Sequence, residues 1–226
     1  VQSLYIEKMG SQNGIYAIYD WPDTIEAYFR ALDESHDRLI DVINEIRKNP
    51  LQAAAALGID LQEGAEVWRS LLSQRLPSLR FEHRLYNAAG GHALDMLEQR
   101  YVGSVSPGGF GSEERVVATG YEPILSRESM AILFFRNFVT KEEAVWQLFE
   151  HILMKEYSLG PQGPLTFLNP DMRDVAVKLQ CGRFTVDGRT GNAYVLLIET
   201  AASQAYALEL AVQEWINWCR ENPLSA

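Results

Sequence analysis

Two segments late in the chain, Arg173 to Gln180 and Ala193 to Thr200, are rich in Val, Leu, Ile and Tyr and stand on either side of Asp187-Gly188-Arg189-Thr190-Gly191-Asn192. β-Branched and aromatic residues fit a pleated, half-buried surface, and Gly with Asp or Asn supplies the backbone freedom of a turn. The pair therefore predicts an antiparallel hairpin with an extended tip. Much of the chain before the hairpin repeats its apolar residues at the three- and four-residue steps of a helix. Helices first and strands late make the expected fold class α+β.

The first strong helix is predicted from about Leu32 to Lys48, where Leu32, His36, Leu39, Ile43 and Ile46 share one face and Asn49-Pro50 ends it. His36 is read as a packed core residue. Further helical stretches follow at about 50–57 and 63–73, then a connector from Leu76 to Arg84. A helix over Leu85 to Arg100 has Leu85, Ala89, His92 and Met96 on one face, with His92 read as packed and hydrogen-bonded. Gly90-Gly91 inside it weakens the helix by roughly 1 kcal/mol each relative to Ala, so close packing against a neighbour is expected there.

Val102 to Gly111 carries four glycines and a proline and is a loop. Glu113 to Thr119 starts a short helix capped by Gly120. An early strand is expected near Ala131 to Phe138. Lys141 to Tyr157 is a helix with Thr140 as N-cap and Glu142-Glu143 in its first turn, where the dipole favours negative charge. Ser203 to Glu221 is a last helix whose stripe of Leu208, Ala211, Val212, Trp215, Ile216 and Cys219 is expected to pack on the core.

The 226 residues read as an irregular aromatic arm over 1–31, a domain over 32–202, and a C-terminal helix over 203–226 packed on the same domain. A net charge of −10 argues against nucleic acid as a partner, because phosphate affinity comes from Lys and Arg, and here 20 basic residues face 30 acidic ones. No apolar run is longer than Met130 to Phe135, so no transmembrane segment is expected. A start at Val1 without Met fits a removed signal peptide or a shortened chain equally. Cys181 and Cys219 lack the paired spacing of a zinc site and are read as buried thiols, with a bridge tying the last helix to the core as the alternative.

Several segments recur in a fixed order: Arg38-Leu-Ile-Asp-Val-Ile-Asn-Glu-Ile-Arg-Lys-Asn-Pro50, Leu76-Pro-Ser-Leu-Arg-Phe81, Asn87-Ala-Ala-Gly-Gly-His-Ala-Leu-Asp-Met96, Arg115 with Gly120-Tyr121, Glu128-Ser129-Met130-Ala131, and Leu168-Asn169-Pro170. In this order and spacing the chain resembles the CAP superfamily, the SCP-like extracellular domain of cysteine-rich secretory, antigen and pathogenesis-related proteins. The resemblance implies a three-layer α-β-α sandwich, a central antiparallel sheet flanked by helices, and a secreted or periplasmic location.

In that family two histidines and two acidic or polar residues converge in a cleft suited to a divalent metal. Carried over residue by residue, the first His falls on Ser104 and the last on Gly163, while Glu128 matches the first Glu and His151 takes the second polar position. No His follows His151, so at least one ligand is missing and no metal or other cofactor is expected.

The implied binding residues are thus Ser104, Glu128, His151 and Gly163, in a non-catalytic module for a small molecule, a lipid or a protein partner. The alternative is a hydrolase, peptidase or esterase, using Glu128 with His151 as an acid–base pair, with or without a divalent metal. Glu156 is a weaker second carboxylate. No Gly-x-Ser-x-Gly elbow, His-Glu-x-x-His helix or dinucleotide fingerprint supports other chemistry.

Overall fold

A computed structural model describes residues 39–59, 66–135, 139–160, 163–186 and 188–222. The aromatic arm, His36 and the first turns of the first expected helix lie outside the described residues. The elements run α1 (Leu39–Lys48), α2 (Pro50–Ala56), α3 (Glu66–Leu72), β1 (Arg80–Phe81), α4 (His83–Gln99), α5 (Ser112–Ala118), β2 (Pro123–Phe135), α6 (Lys141–Leu159), β3 (Asp174–Val186), β4 (Arg189–Ser203) and α7 (Gln204–Glu221). The protein is α+β, as the order of periodicities predicts.

The sheet order is β1-β3-β4-β2, and β4 is antiparallel to both of its long neighbours. β1 instead pairs parallel with β3 at Arg80 and Phe81, so the sheet is mixed where a wholly antiparallel one was expected. Alternation along β4 splits the core in two. Leu196 and Ile198 join Ala131, Leu133, Val175 and Val177 under α1, α2, α3 and α6, whereas Val195 and Leu197 join Met130 and Ile132 under α4. Ala176 and Ala201 extend that second face beneath Leu85 and Ala88 of α4 and Val116 of α5. Helices on both faces of one sheet make three layers.

Three sequence expectations shift within the sheet and α4. β2 begins at Pro123, well before Ala131, because Ser126, Arg127, Glu128 and Ser129 are polar and hide the first half of the strand from a search for apolar runs. The hairpin tip is tighter: β3 and β4 pair out to Val186 and Arg189, which puts Thr190-Gly191-Asn192 inside the strand. Glycine at 191 is required, since a Cβ there would stand 2.7 Å from Phe134 Cζ. Gly90 and Gly91 need no such explanation, for a Cβ at 90 would meet only the Lys178 side chain at 3.6 Å and one at 91 would meet nothing.

The cysteines are free, Cys181 exposed and Cys219 half-buried, so neither the buried-thiol reading nor the bridge holds. The C-terminal helix also departs from expectation. Leu208, Val212, Trp215, Ile216 and Trp218 of α7 are exposed, and the described contacts between α7 and the rest of the protein lie at its first turn, where the Arg173 guanidinium sits 4.5 Å from the Tyr206 ring centroid.

Three of the quoted segments, Arg38–Pro50, Leu76–Phe81 and Leu168–Pro170, meet in a buried knot. Arg47 of α1 is fully buried and donates to four carbonyl oxygens: Nε to Pro77 at 2.7 Å, Nη1 to Phe167 and, at 2.9 Å, to Asn169, and Nη2 to Met172 at 3.4 Å. Burial pushes its guanidinium down to about 10, with Arg173 adding to the shift. Asn44, one turn earlier, clasps Leu79 with both amide atoms, donating to its carbonyl at 3.0 Å and accepting its N–H at 2.7 Å. Buried backbone groups outside regular structure need partners, and these two side chains provide them.

Candidate functional site

Glu128 lies mid-strand in β2 on the face toward α4 and α5, with a side chain 1% exposed. Its Oε2 is held by His92 Nδ1 of α4 at 2.8 Å and Arg115 Nη2 of α5 at 2.9 Å. The His92 side chain is fully buried, as its place on the apolar face of α4 predicts, and its other ring nitrogen has no partner. Arg115 also reaches the glycine-rich loop, donating from Nη1 to the Phe110 carbonyl at 2.7 Å and from Nη2 to the Ser104 carbonyl at 3.0 Å. One guanidinium therefore neutralises the carboxylate and straps Val102–Gly111 above it.

Directly across the β2–β4 ladder from Glu128 stands Glu199. It is fully buried, and its Oε1 accepts the hydroxyl of Ser112 at 2.5 Å. Like charges placed opposite one another on adjacent strands repel, and burial makes the repulsion stronger. Burial first and the Glu128 carboxylate second hold Glu199 well above the usual carboxylate range. Glu128 Oε1 and Glu199 Oε2 are the two oxygens of this pair left without another partner, and a proton on Glu199 donated to Glu128 satisfies both. Glu128 thus faces the Arg115 guanidinium and the His92 imidazole, while Glu199 is the member of the pair whose pKa is raised.

The other expected site residues lie elsewhere. His151 is on α6, which covers the opposite face of the sheet, so the sheet stands between it and Glu128 and the two cannot form an acid–base pair. Both its ring nitrogens are buried without partners, and burial pushes it down to about 4. Beside it, Glu150 is buried and pushed up to about 7 by desolvation.

Gly163 is on the α6 side too, where a Cβ would stand 2.4 Å from Leu159 Cβ and 2.9 Å from the Leu159 carbonyl oxygen. No side chain fits at that position. Glu156 is structural: it accepts the N–H groups of Thr166 at 2.8 Å and Leu168 at 3.1 Å and the Ser129 hydroxyl at 3.3 Å, fixing the loop that follows α6. Of the four implied binding positions, Ser104 and Glu128 meet through Arg115, while His151 and Gly163 belong to the other layer.

The donor set around Glu128 does not fit a divalent cation. The oxygen best placed to bind one is taken by an imidazole and a guanidinium, and the guanidinium repels metal charge at the same point. Among the described residues no group of three or more His, Cys, Asp or Glu is placed to hold a metal ion. No helix among them is long and apolar enough to cross a membrane.

Sequence reasoning missed Arg115 as the centre of the cluster, although the residue belongs to a quoted segment. It missed Glu199 and Ser112 altogether. A lone carboxylate ending the run Val195-Leu196-Leu197-Ile198 was the available signal for Glu199, because an acid in a buried strand needs a partner.

Comparison with known proteins gives little beyond this. No family model matches the chain, and no curated protein matches it. Among solved structures, an extracellular protein containing a SCP domain from Bacillus anthracis aligns at 18% identity over 54% of this chain and 34% of its own length, with a TM-score of 0.33. An outer surface protein from Borrelia burgdorferi aligns at 14% identity over 70% of this chain and 96% of its own, with a TM-score of 0.37. The chain thus spans about a third of the length of the Bacillus protein.

Proposed function

We propose that this chain is an SCP-like binding module that works outside the cytoplasm without catalysis, its family cleft converted into a sealed polar core. One observation carries the reading: the carboxylate at the family's acidic position, Glu128, is shut away from solvent between His92 and Arg115. A general acid or base must reach the proton it transfers, and a metal ligand must offer a free lone pair; Glu128 as built does neither. The extracellular setting follows from the family resemblance. The surface above the site is the strapped loop, which presents Val105 and Phe110 to solvent. Apolar side chains on a loop held at both its Ser104 and Phe110 carbonyls favour a protein partner over a small molecule or lipid drawn inside.

The reading is tested by equilibrium dialysis of the purified protein against zinc, by a panel of peptide and ester substrates, and by mass spectrometry of an organic extract. Less than a tenth of a zinc ion per chain, no turnover lost on Glu128→Gln, and a clean extract support it. Glu128-dependent turnover would return the protein to the hydrolases, and one lipid per chain would make it a lipid carrier.

A further inference from the structure

Leu208, Val212 and Trp215, three of the five exposed large apolar side chains of α7, fall on a repeat of their own. Leu208, Val212, Trp215 and Cys219 follow one another at steps of four, three and four residues, and Ala205 continues the series three residues back. A 3-4 alternation is the seam of a two-helix coil, and Ile216 and Trp218 widen the apolar face on either side of it. The members are exposed along the shaft: Leu208 by 71%, Val212 by 50% and Trp215 by 64%, with Ile216 at 40% and Trp218 at 47% flanking them.

We propose that this seam is a homodimer interface, closed by the same helix of a second copy running antiparallel. The seam is self-complementary, as a two-fold axis demands: its own residues are uncharged, and among the described side chains beside it Ala211, Ile216 and Trp218 are uncharged too. Two tryptophans with Leu, Val and Ile remove on the order of 600 Å² of apolar surface per copy, which with the surrounding backbone approaches the roughly 800 Å² per partner of a stable interface. Tryptophan is also the residue that most often dominates such contacts. An anionic membrane is a poorer occupant, because Glu214 and Glu221 outnumber Arg220 on the rest of the described surface of the helix.

The antiparallel sense follows from how the helix is mounted. Ser203 is both the last residue of β4 and the N-cap of α7, its Oγ accepting the Tyr206 N–H, and the Gln204 N–H is held by the Glu122 carbonyl, so no linker separates body from shaft. Paired helices lie 8–10 Å apart, while a body of this size is roughly 40 Å across. Parallel helices would drive two bodies into one another at the same end. Antiparallel helices about 27 Å long place the bodies at opposite ends, with Trp215 over Leu208 and Cys219 over Ala205 of the other copy.

Sedimentation equilibrium of the full chain tests this. A dimer at micromolar concentration is expected, with Trp215→Glu and Leu208→Glu each raising its dissociation constant roughly a hundredfold and Asn217→Glu, on the far side of the helix, leaving it unchanged. Circular dichroism of each variant confirms that the body stays folded. Orientation is read in a Cys181→Ser background: with Ala205→Cys, copper(II)-phenanthroline should withdraw two electrons and two protons from each facing thiol pair to give a disulfide-linked dimer, and without that substitution it should give none. A monomer up to about 100 micromolar, a dimer indifferent to Trp215→Glu, or linkage through Cys219 alone would each overturn the proposal.

Discussion

Glu128 and Glu199 face each other across one rung of the β2–β4 ladder, and burial together with the Glu128 carboxylate holds Glu199 well above the usual carboxylate range. Ser112 and Arg115 complete the cluster, one donating its hydroxyl to Glu199 and the other its guanidinium N–H to Glu128.

The raised pKa of Glu199 makes stability depend on pH in a definite sense. Glu199 keeps its proton in the fold at pH values where an unfolded glutamate, with a pKa of about 4.3, has released it. Its contribution is therefore complete below that value and is lost as pH rises toward the folded pKa. Glu199→Gln supplies a permanent N–H toward Glu128 and a permanent acceptor for Ser112, so the variant should gain melting temperature relative to the parent at pH 8 and gain little at pH 4.5. Thermal denaturation at the two values measures it; an equal shift at both would mean that Glu199 is ionised in the fold.

Glu150 obeys the same sign. Its carboxyl is pushed up to about 7, so stability from this group falls as pH climbs from about 4.5 through 7. His151 beside it, lowered to about 4, runs the other way, costing stability as pH falls below its unfolded value. The two slopes overlap and blur the parent profile, so the effect is read as a difference: Glu150→Gln should gain stability relative to the parent as pH climbs from about 4.5 through 7, measured by thermal denaturation across that range.

Arg115 carries both a charge and a loop. Arg115→Met would strand the Glu128 carboxylate without its cation and release the Ser104 and Phe110 carbonyls, at an expected cost of about 3–5 kcal/mol in urea denaturation. Hydrogen exchange should quicken at Phe110, whose N–H is now held by Ser106 Oγ. Arg115→Lys, which cannot reach three oxygens with one planar fork, should rescue less than half of the loss.

Restoring the family's last imidazole should fail. Gly163→His sets a Cβ 2.4 Å from Leu159 Cβ, so the loop after α6 must move, and Gly163→Ala alone should cost about 1–3 kcal/mol. Zinc binding should stay absent even in the Ser104→His, Gly163→His pair, because the sheet separates the two positions. Equilibrium dialysis of that pair is the direct check.

The layers were legible because each element carries its own period. The spacing of Leu85, Ala89, His92 and Met96 marks α4 to within a turn, and Val195 to Ile198 marks β4 with equal clarity. The site was not legible to the same degree. Glu128 was found by resemblance, but its partners come from α4, α5 and β4, and the register that sets Glu199 opposite it is a property of strand pairing that neither strand encodes alone. His151 was chosen by counting along the chain, which does not reveal the face of the sheet a helix covers. The α7 stripe was misread for a related reason: Leu208, Val212 and Trp215 are as apolar whether their own body or another copy covers them.

Arg47 holds oxygens that follow it by 120 residues at Phe167 and 122 at Asn169, and it is fully buried only when both are present. Contacts of such separation form late, because the loop between them must close before they repay its entropy. A chain that stops before Phe167 therefore lacks three of the four carbonyl oxygens that hold the Arg47 guanidinium, and a cation so stripped of partners cannot stay in the core.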